Sequence, residues 1–135
     1  ETLAKATHSS DDAITCALVA AELFSSPDID INEVVTKVFP SRNSWNPAAS
    51  GISLDPVETL FAFTMVAERN TKVLDAYMDA CSLGGDTNTV SALSGALVSF
   101  RNPDSEFENI PWLVDIDWKE ISALDEIARQ IAERR

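Results

Sequence analysis

Apolar positions recur along this chain with the period of a helix, and sustained alternation is scarce. The first stretch runs from Asp11 to Phe24, where Ile14, Ala17, Leu18, Ala21 and Phe24 fall on one stripe. Ser9 or Ser10 is placed to cap it, Asp11 and Asp12 suit the positive end of the helix dipole, and Pro27 ends the segment. Asp30 and Glu33 then stand at capping-box spacing ahead of Ile31, Val34, Val35, Val38 and Phe39, and Pro40 closes this second helix. A third helix is predicted from Asp55, with Pro56 at its first position and Glu58 completing another cap, through to about Glu68. A fourth covers roughly Thr71 to Ser82, with Val73, Leu74, Tyr77, Ala80 and Cys81 inward. The fifth follows Asp86 and reaches about Phe100. Its Ser91, Ala92, Ser94, Gly95, Ala96 and Ser99 are small, which suits close approach by neighbours and predicts a central, surrounded helix. A last helix spans about Trp118 to Glu133, with Ile121, Leu124, Ala128 and Ile131 inward.

Between these helices the 40–53 stretch is rich in Ser, Asn, Pro and Gly and reads as one long loop. Loops of that length inside a compact domain are uncommon and often functional. Trp45 within it is either an exposed aromatic contact or an anchor onto the core. There is no internal repeat and no low-complexity tract, so the expected architecture is a single all-α domain.

Size and composition agree with that picture. A chain of 135 residues, 45% hydrophobic and 24% charged, can bury a real core. No apolar run approaches the ~20 residues of a membrane helix, and no basic-then-apolar leader is present, so no membrane partner is expected. The formal net charge of -12 disfavours nucleic acid, whose phosphates call for clustered Lys and Arg. The acidity is either a solvated surface or, in part, a collection of oxygen donors for hard cations. Cys16 and Cys81 both sit in apolar helical patterns with no Cys or His at metal-ligand spacing, which predicts free thiols and a reducing, cytoplasmic setting. The chain opens on Glu1, which implies a removed start or a longer parent chain.

The residues that bear on chemistry are Gly84-Gly85-Asp86-Thr87-Asn88-Thr89, at the junction of the fourth and fifth helices. A left-handed glycine can end one helix and Asp86 can cap the next, which accounts for the turn without any function. The same turn also carries a carboxylate, an amide and a hydroxyl in Asp86, Asn88 and Thr89. All three are hard oxygen donors of the kind magnesium, calcium or manganese accept.

These six residues resemble the Gly-Gly-Asp-Thr-Asp-Thr motif of the ADP-ribosylglycohydrolases, the family that includes the dinitrogenase reductase-activating glycohydrolases. Asn88 stands where the motif has its second aspartate. The likeness extends along the chain. Thr7-His8 is similar to the Thr-His pair that opens the family's mid-chain helix, and Asp55-Pro56-Val57-Glu58-Thr59-Leu60 is similar to its Pro-Glu-Thr-like helix entry. Val90 to Leu97 is similar to its small-residue helix, and Ile110-Pro111-Trp112 to the Ile-Pro before its last helices. The resemblance covers nearly all of this chain but only about half the family's usual length. The Gly-Asp segment and the Thr-Asp-Asp motif of the N-terminal half are not found.

The resemblance implies a compact orthogonal multi-helix bundle, the C-terminal half of an ADP-ribosylglycohydrolase-like fold. It implies a magnesium or manganese site with Asp86, Asn88 and Thr89 as ligands, and His8 as a contact for ADP-ribose or an ADP-ribosylated substrate. The activity implied is metal-dependent hydrolysis of the bond between ADP-ribose and a modified side chain or small molecule, with the N-terminal half supplied by a longer parent chain or by a second chain. No catalytic acid or base is transferred. Two rival readings are a non-catalytic relative kept as a structural or binding protein, favoured by the uncharged Asn88, and an interaction subunit. Read without the family, His8 is an exposed histidine just ahead of a helix.

Overall fold

The computed structural model of the chain describes residues 2–103, 110–116, 126–130 and 132–133. Its elements are α1 (Thr2–Thr7), α2 (Asp11–Leu23), α3 (Ile31–Val38), a 3-10 helix (Pro40–Ser44), α4 (Pro56–Arg69), α5 (Val73–Leu83), α6 (Thr87–Arg101) and a second 3-10 helix (Pro111–Asp115). Among the described residues there is no strand, and none of their helices is long and apolar enough to cross a membrane. The predicted Trp118–Glu133 helix lies mostly outside the described residues, although 126–130 are helical.

Helix starts follow side-chain chemistry. Ser10 caps α2 by accepting from Ala13 N at 3.1 Å, and Asp30 caps α3 by accepting from Glu33 N at 3.0 Å. Asp55 is the fullest cap, since one carboxylate oxygen accepts from both Val57 N and Glu58 N at 2.9 Å. Glu58 reaches back to Ser53, accepting from its backbone N–H at 3.0 Å and from its hydroxyl, so the entry to α4 is tied at both ends. Six-residue α1 went unpredicted, because it buries no residue and carries no apolar stripe.

The core is organised around α4. Every residue from Leu60 to Ala67 is buried, which surrounds this helix on all sides. Thr64, the one polar side chain in that run, satisfies its hydroxyl on Leu60 O at 2.7 Å. α2 and α6 both pack on α4, and α6 packs more extensively still on α5. The expectation that α6 is the central helix is therefore corrected. Ser91, Ser94 and Gly95 are buried, but Ala92 and Ala96 face solvent. The inward face of α2 is corrected too: Cys16, Val19 and Leu23 are buried, while Ala17, Leu18 and Ala21 are exposed. Cys81, expected inward on α5, is exposed.

The 40–53 connection is shorter in irregular structure than predicted, since Pro40–Ser44 forms a 3-10 helix. Trp45 stands edge-on to Phe61 of α4 with ring centroids 5.7 Å apart, so it anchors the loop to the core. Arg42 lies over the same Phe61 ring and pairs with Glu68 at 2.9 Å. Burial pushes the Glu68 carboxyl above its usual range, and the Arg42 guanidinium opposes that shift.

The small residues of α6 make a specific prediction. A Cβ on Gly95 would meet the Tyr77 ring at 3.5 Å and Val73 at 3.8 Å, ordinary contact distances. Glycine is thus not required there by packing, and Gly95→Ala is expected to raise stability by about 0.5–1 kcal/mol through helix propensity. Urea unfolding of the two proteins checks this; a loss of stability would mean that α5 and α6 are packed more tightly than these distances allow.

Candidate functional site

The Gly84-Gly85-Asp86 turn is held by a backbone crossing. Ile52 N donates to Gly84 O at 3.1 Å and Asp86 N donates to Ile52 O at 2.9 Å, a single parallel bridge between the loop before α4 and the start of α6. Gly51 and Gly85 have φ of 89° and 72°, and a Cβ on Gly85 would fall 2.0 Å from Ile52 O. A Cβ on Gly51 would fall 2.4 Å from Gly85 N. Only glycine allows two backbones this close. Gly51 was not singled out in the sequence, where a lone glycine in a Ser- and Pro-rich loop reads as a turn.

This crossing sets where Asp86 begins α6. Asp86 occupies the N-cap position, yet its side chain accepts no bond from the helix N–H groups, contrary to the expected cap. It accepts instead from the Thr89 hydroxyl at 2.8 Å. The structure thus brings Asp86 and Thr89 together, while Asn88 is exposed.

Asp86 and Thr89 line a cavity of about 670 Å³. Its other walls come from α2 (Ala13, Cys16, Ala17, Ala20) with its N-cap Ser10, and α4 (Pro56, Thr59, Leu60, Phe63), with Leu93 of α6, Leu54 and His8. The cavity is a groove, with α4 as floor and α2 and α6 as banks. Each helix enters it by its N-terminal turn, so the polar groups gather at one end and the apolar ones continue along the groove. His8 stands at the polar end, its Nδ1 held 2.8 Å from the Thr7 hydroxyl. Three of the four predicted site residues, His8, Asp86 and Thr89, thus share one cavity, and Asn88 is not in its lining. Cys16 and Thr59 are further wall residues that sequence reasoning did not place there. A second, polar cavity of about 560 Å³, bordered by Asp28, Asp30, Glu68, Asn70 and Arg101, contains none of the predicted residues.

The donors present can be tested against a divalent ion. A carboxylate and a hydroxyl 2.8 Å apart suit magnesium or manganese in kind. In number they fall well short of the roughly six oxygens such an ion takes, waters included. Among the described residues no group of three or more His, Cys, Asp or Glu side chains could hold a metal. Asp86 and Thr89 therefore fit as a share of a site, not as a whole one.

Comparison with protein-family models, with curated proteins and with solved structures gave no match.

Two predictions come from this geometry. Gly84 and Gly85 both have φ of 72°, but a Cβ on Gly84 would meet nothing nearer than 3.7 Å. Gly84→Ala should cost backbone strain alone, about 1–3 kcal/mol. Gly85→Ala should cost measurably more by urea unfolding, and equal losses would mean that the crossing relaxes without penalty. The second concerns the thiols. Burial, with Asp12 and Asp55 nearby, pushes the Cys16 thiol up to about 11, whereas Cys81 is exposed. A raised thiol pKa keeps the neutral form favoured in the folded state, so this contribution is complete below the ordinary thiol pKa and fades as pH rises towards 11. At pH 8, labelling by a disulfide reagent should be slower at Cys16 than at Cys81 by on the order of a hundredfold or more. Comparable rates in Cys16→Ser and Cys81→Ser proteins would contradict that environment.

Proposed function

We propose that the chain is the C-terminal half of an ADP-ribosylglycohydrolase-like protein, and that its α2–α4–α6 cleft takes the ribose end of ADP-ribose or of an ADP-ribosylated substrate. The observation that carries this reading is convergence. Thr7-His8, Asp55–Leu60 and Gly84–Thr89, three segments that resemble family motifs, each contribute to one cleft: His8, then Pro56, Thr59 and Leu60, then Asp86 and Thr89. A volume of about 670 Å³ lies in the ordinary range for small-molecule sites.

In this reading the reaction is hydrolysis of the bond between ribose and a modified side chain or small molecule. Asp86 and Thr89 would hold magnesium or manganese together with donors from the N-terminal half of the fold. The ion, when bound, supplies Lewis-acid polarisation of a sugar hydroxyl or a water. The chain's own residues bind and orient. His8, Ser10 and Thr59 offer hydrogen bonds to sugar hydroxyls, and the aliphatic walls of Ala13, Leu60 and Leu93 limit water at the bound ring.

A second reading, a non-catalytic relative that binds without hydrolysing, is favoured by Asn88. It brings no negative charge to the motif, and it is exposed.

Thermal unfolding with and without manganese tests the metal assignment. Manganese should raise the midpoint of the parent protein by a few degrees and leave Asp86→Ala unmoved, and equal shifts in both proteins would reject Asp86 as a ligand. Because Asp86 caps no helix N–H, the variant should fold, which keeps the comparison clean. Titration with ADP-ribose then separates the readings. Binding that His8→Ala weakens severalfold supports the cleft assignment, and no binding by the parent, with or without manganese, would reject it. ADP-ribose bound without metal favours the non-catalytic relative.

A further inference from the structure

The groove that holds Asp86 and Thr89 at one end continues along α2, α4 and α6 as an apolar trough. Cys16, Ala17 and Ala20 form one bank, Leu60 and Phe63 the floor and Leu93 the other bank. From Ala13 to Ala20 the α2 bank covers about two turns of helix, roughly 10 Å at a rise of 1.5 Å per residue. The surface beside it is apolar and open. Ala17 and Ala21 are exposed, Leu18 is 44% exposed and Leu54, in the groove lining itself, is 86% exposed. Among the lining residues Ala17 and Leu54 are the exposed apolar ones, open to a partner.

Charge indicates what that is. Asp11 and Asp12 sit between the lining residues Ser10 and Ala13, Asp55 sits between Leu54 and Pro56, and Asp86 lines the groove itself. None of the lining residues is Lys or Arg. Three helix N-termini also face this end and would draw an anion. Each amounts to about half a positive charge, so together they offset roughly one and a half of these four carboxylates. The acids prevail, and the chain as a whole carries a net charge of -12, which extends the same sign outward. A second copy of this chain would bring a further -12 to the contact, which disfavours self-association as the means of covering the groove.

We infer that the groove between α2 and α6 docks a basic amphipathic helix of another polypeptide, with an apolar stripe over Ala17, Ala20, Leu54 and Leu93 and cationic side chains against Asp11, Asp12 and Asp55. Two turns of groove match the i, i+3/i+4, i+7 anchors by which such helices bind. The inference uses the cleft in which the glycohydrolase reading seats ribose, but it stands apart from that reading, because it needs neither metal nor sugar.

The probe is a synthetic helical peptide with leucine at i, i+4 and i+7 and lysine on its remaining face, labelled for fluorescence anisotropy against the whole chain. The control replaces every lysine with glutamate. The lysine peptide should bind, and its affinity should fall severalfold between 50 and 300 mM salt, as roughly expected for exposed ion pairs. Ala17→Trp fills the groove without changing charge and should weaken binding about tenfold or more; Asp12→Lys should weaken it severalfold. Circular dichroism confirms that both variants are folded. Lysine-peptide affinity unchanged in Ala17→Trp would mean simple adhesion to an acidic surface and would overturn the proposal. So would equal binding of the glutamate peptide, or no binding by either. Sedimentation that shows a dimer dissociated by Ala17→Trp would assign the groove to a second copy instead. ADP-ribose titrated into the same proteins reads the other assignment independently. Peptide binding without ADP-ribose binding upholds this inference alone, and the reverse upholds only the sugar site.

Discussion

One backbone crossing fixes where α6 begins, and with it where Asp86 and Thr89 stand beside the start of α4. Ile52 exchanges hydrogen bonds with Gly84 and Asp86 at 3.1 and 2.9 Å, and this joins the segment that leads into α4 to the turn that starts α6. A crossing so close leaves no room for a side chain at Gly51 or Gly85, while Gly84 has space but a φ of 72°. Without the bridge, the α4 and α6 starts would be coupled only through α4–α6 packing and the intervening α5. With it, Asp55 and Asp86 begin their helices at a fixed separation, and the mouth of the cleft is defined before any side chain is considered.

What the crossing sets at one end, the burial of α4 extends along the groove. A helix covered on every side needs neighbours on every side, and α2 and α6 supply two of them by packing on α4. Two helices resting on a third leave a trough between them. That trough is apolar because α2 turns Ala13, Cys16, Ala17 and Ala20 towards it. The three N-terminal turns meet at one end, so capping residues, acids and hydroxyls collect there, while the floor is made of Leu60 and Phe63. The division into a polar end and an apolar length is thus a consequence of helix direction.

The starts of α2, α3 and α4 were legible, because each rests on local chemistry. Ser10, Asp30 and Asp55 accept the bonds their spacing predicts. The face of α2 was not legible for a clear reason. Ile14, Ala17, Leu18 and Ala21 form one helical stripe, Cys16, Val19, Ala20 and Leu23 another, and periodicity cannot rank two apolar stripes on a single helix. Tertiary packing buries the second. The central helix could have been found. Leu60 to Ala67 is an unbroken apolar run apart from Thr64, a sign of burial on all sides, whereas the small residues of α6 report only close approach to some neighbour. For the candidate site, His8, Asp86 and Thr89 were singled out by motif likeness, but that they line one cavity was not legible, because it depends on a contact between Ile52 and Gly85 that sequence separation conceals.

Asp86 is where structural and chemical demands on this chain separate most clearly. An aspartate at a helix start ordinarily stabilises the helix by accepting from the second or third N–H, a contribution of about 1 kcal/mol. Asp55 does this twice over, with bonds of 2.9 Å. Asp86, at the equivalent position of α6, accepts from a hydroxyl and none of those N–H groups. The Gly85 crossing determines this, since it sets the Asp86 backbone at φ -74° and ψ 57°, away from the extended conformation that Ser10, Asp30 and Asp55 share. The carboxylate is thereby turned from the helix it begins to the cleft it lines. An oxygen released from capping and presented beside a second hard oxygen has its chemistry directed outward. That is the physical content of reading this turn as part of a binding site rather than as a helix cap.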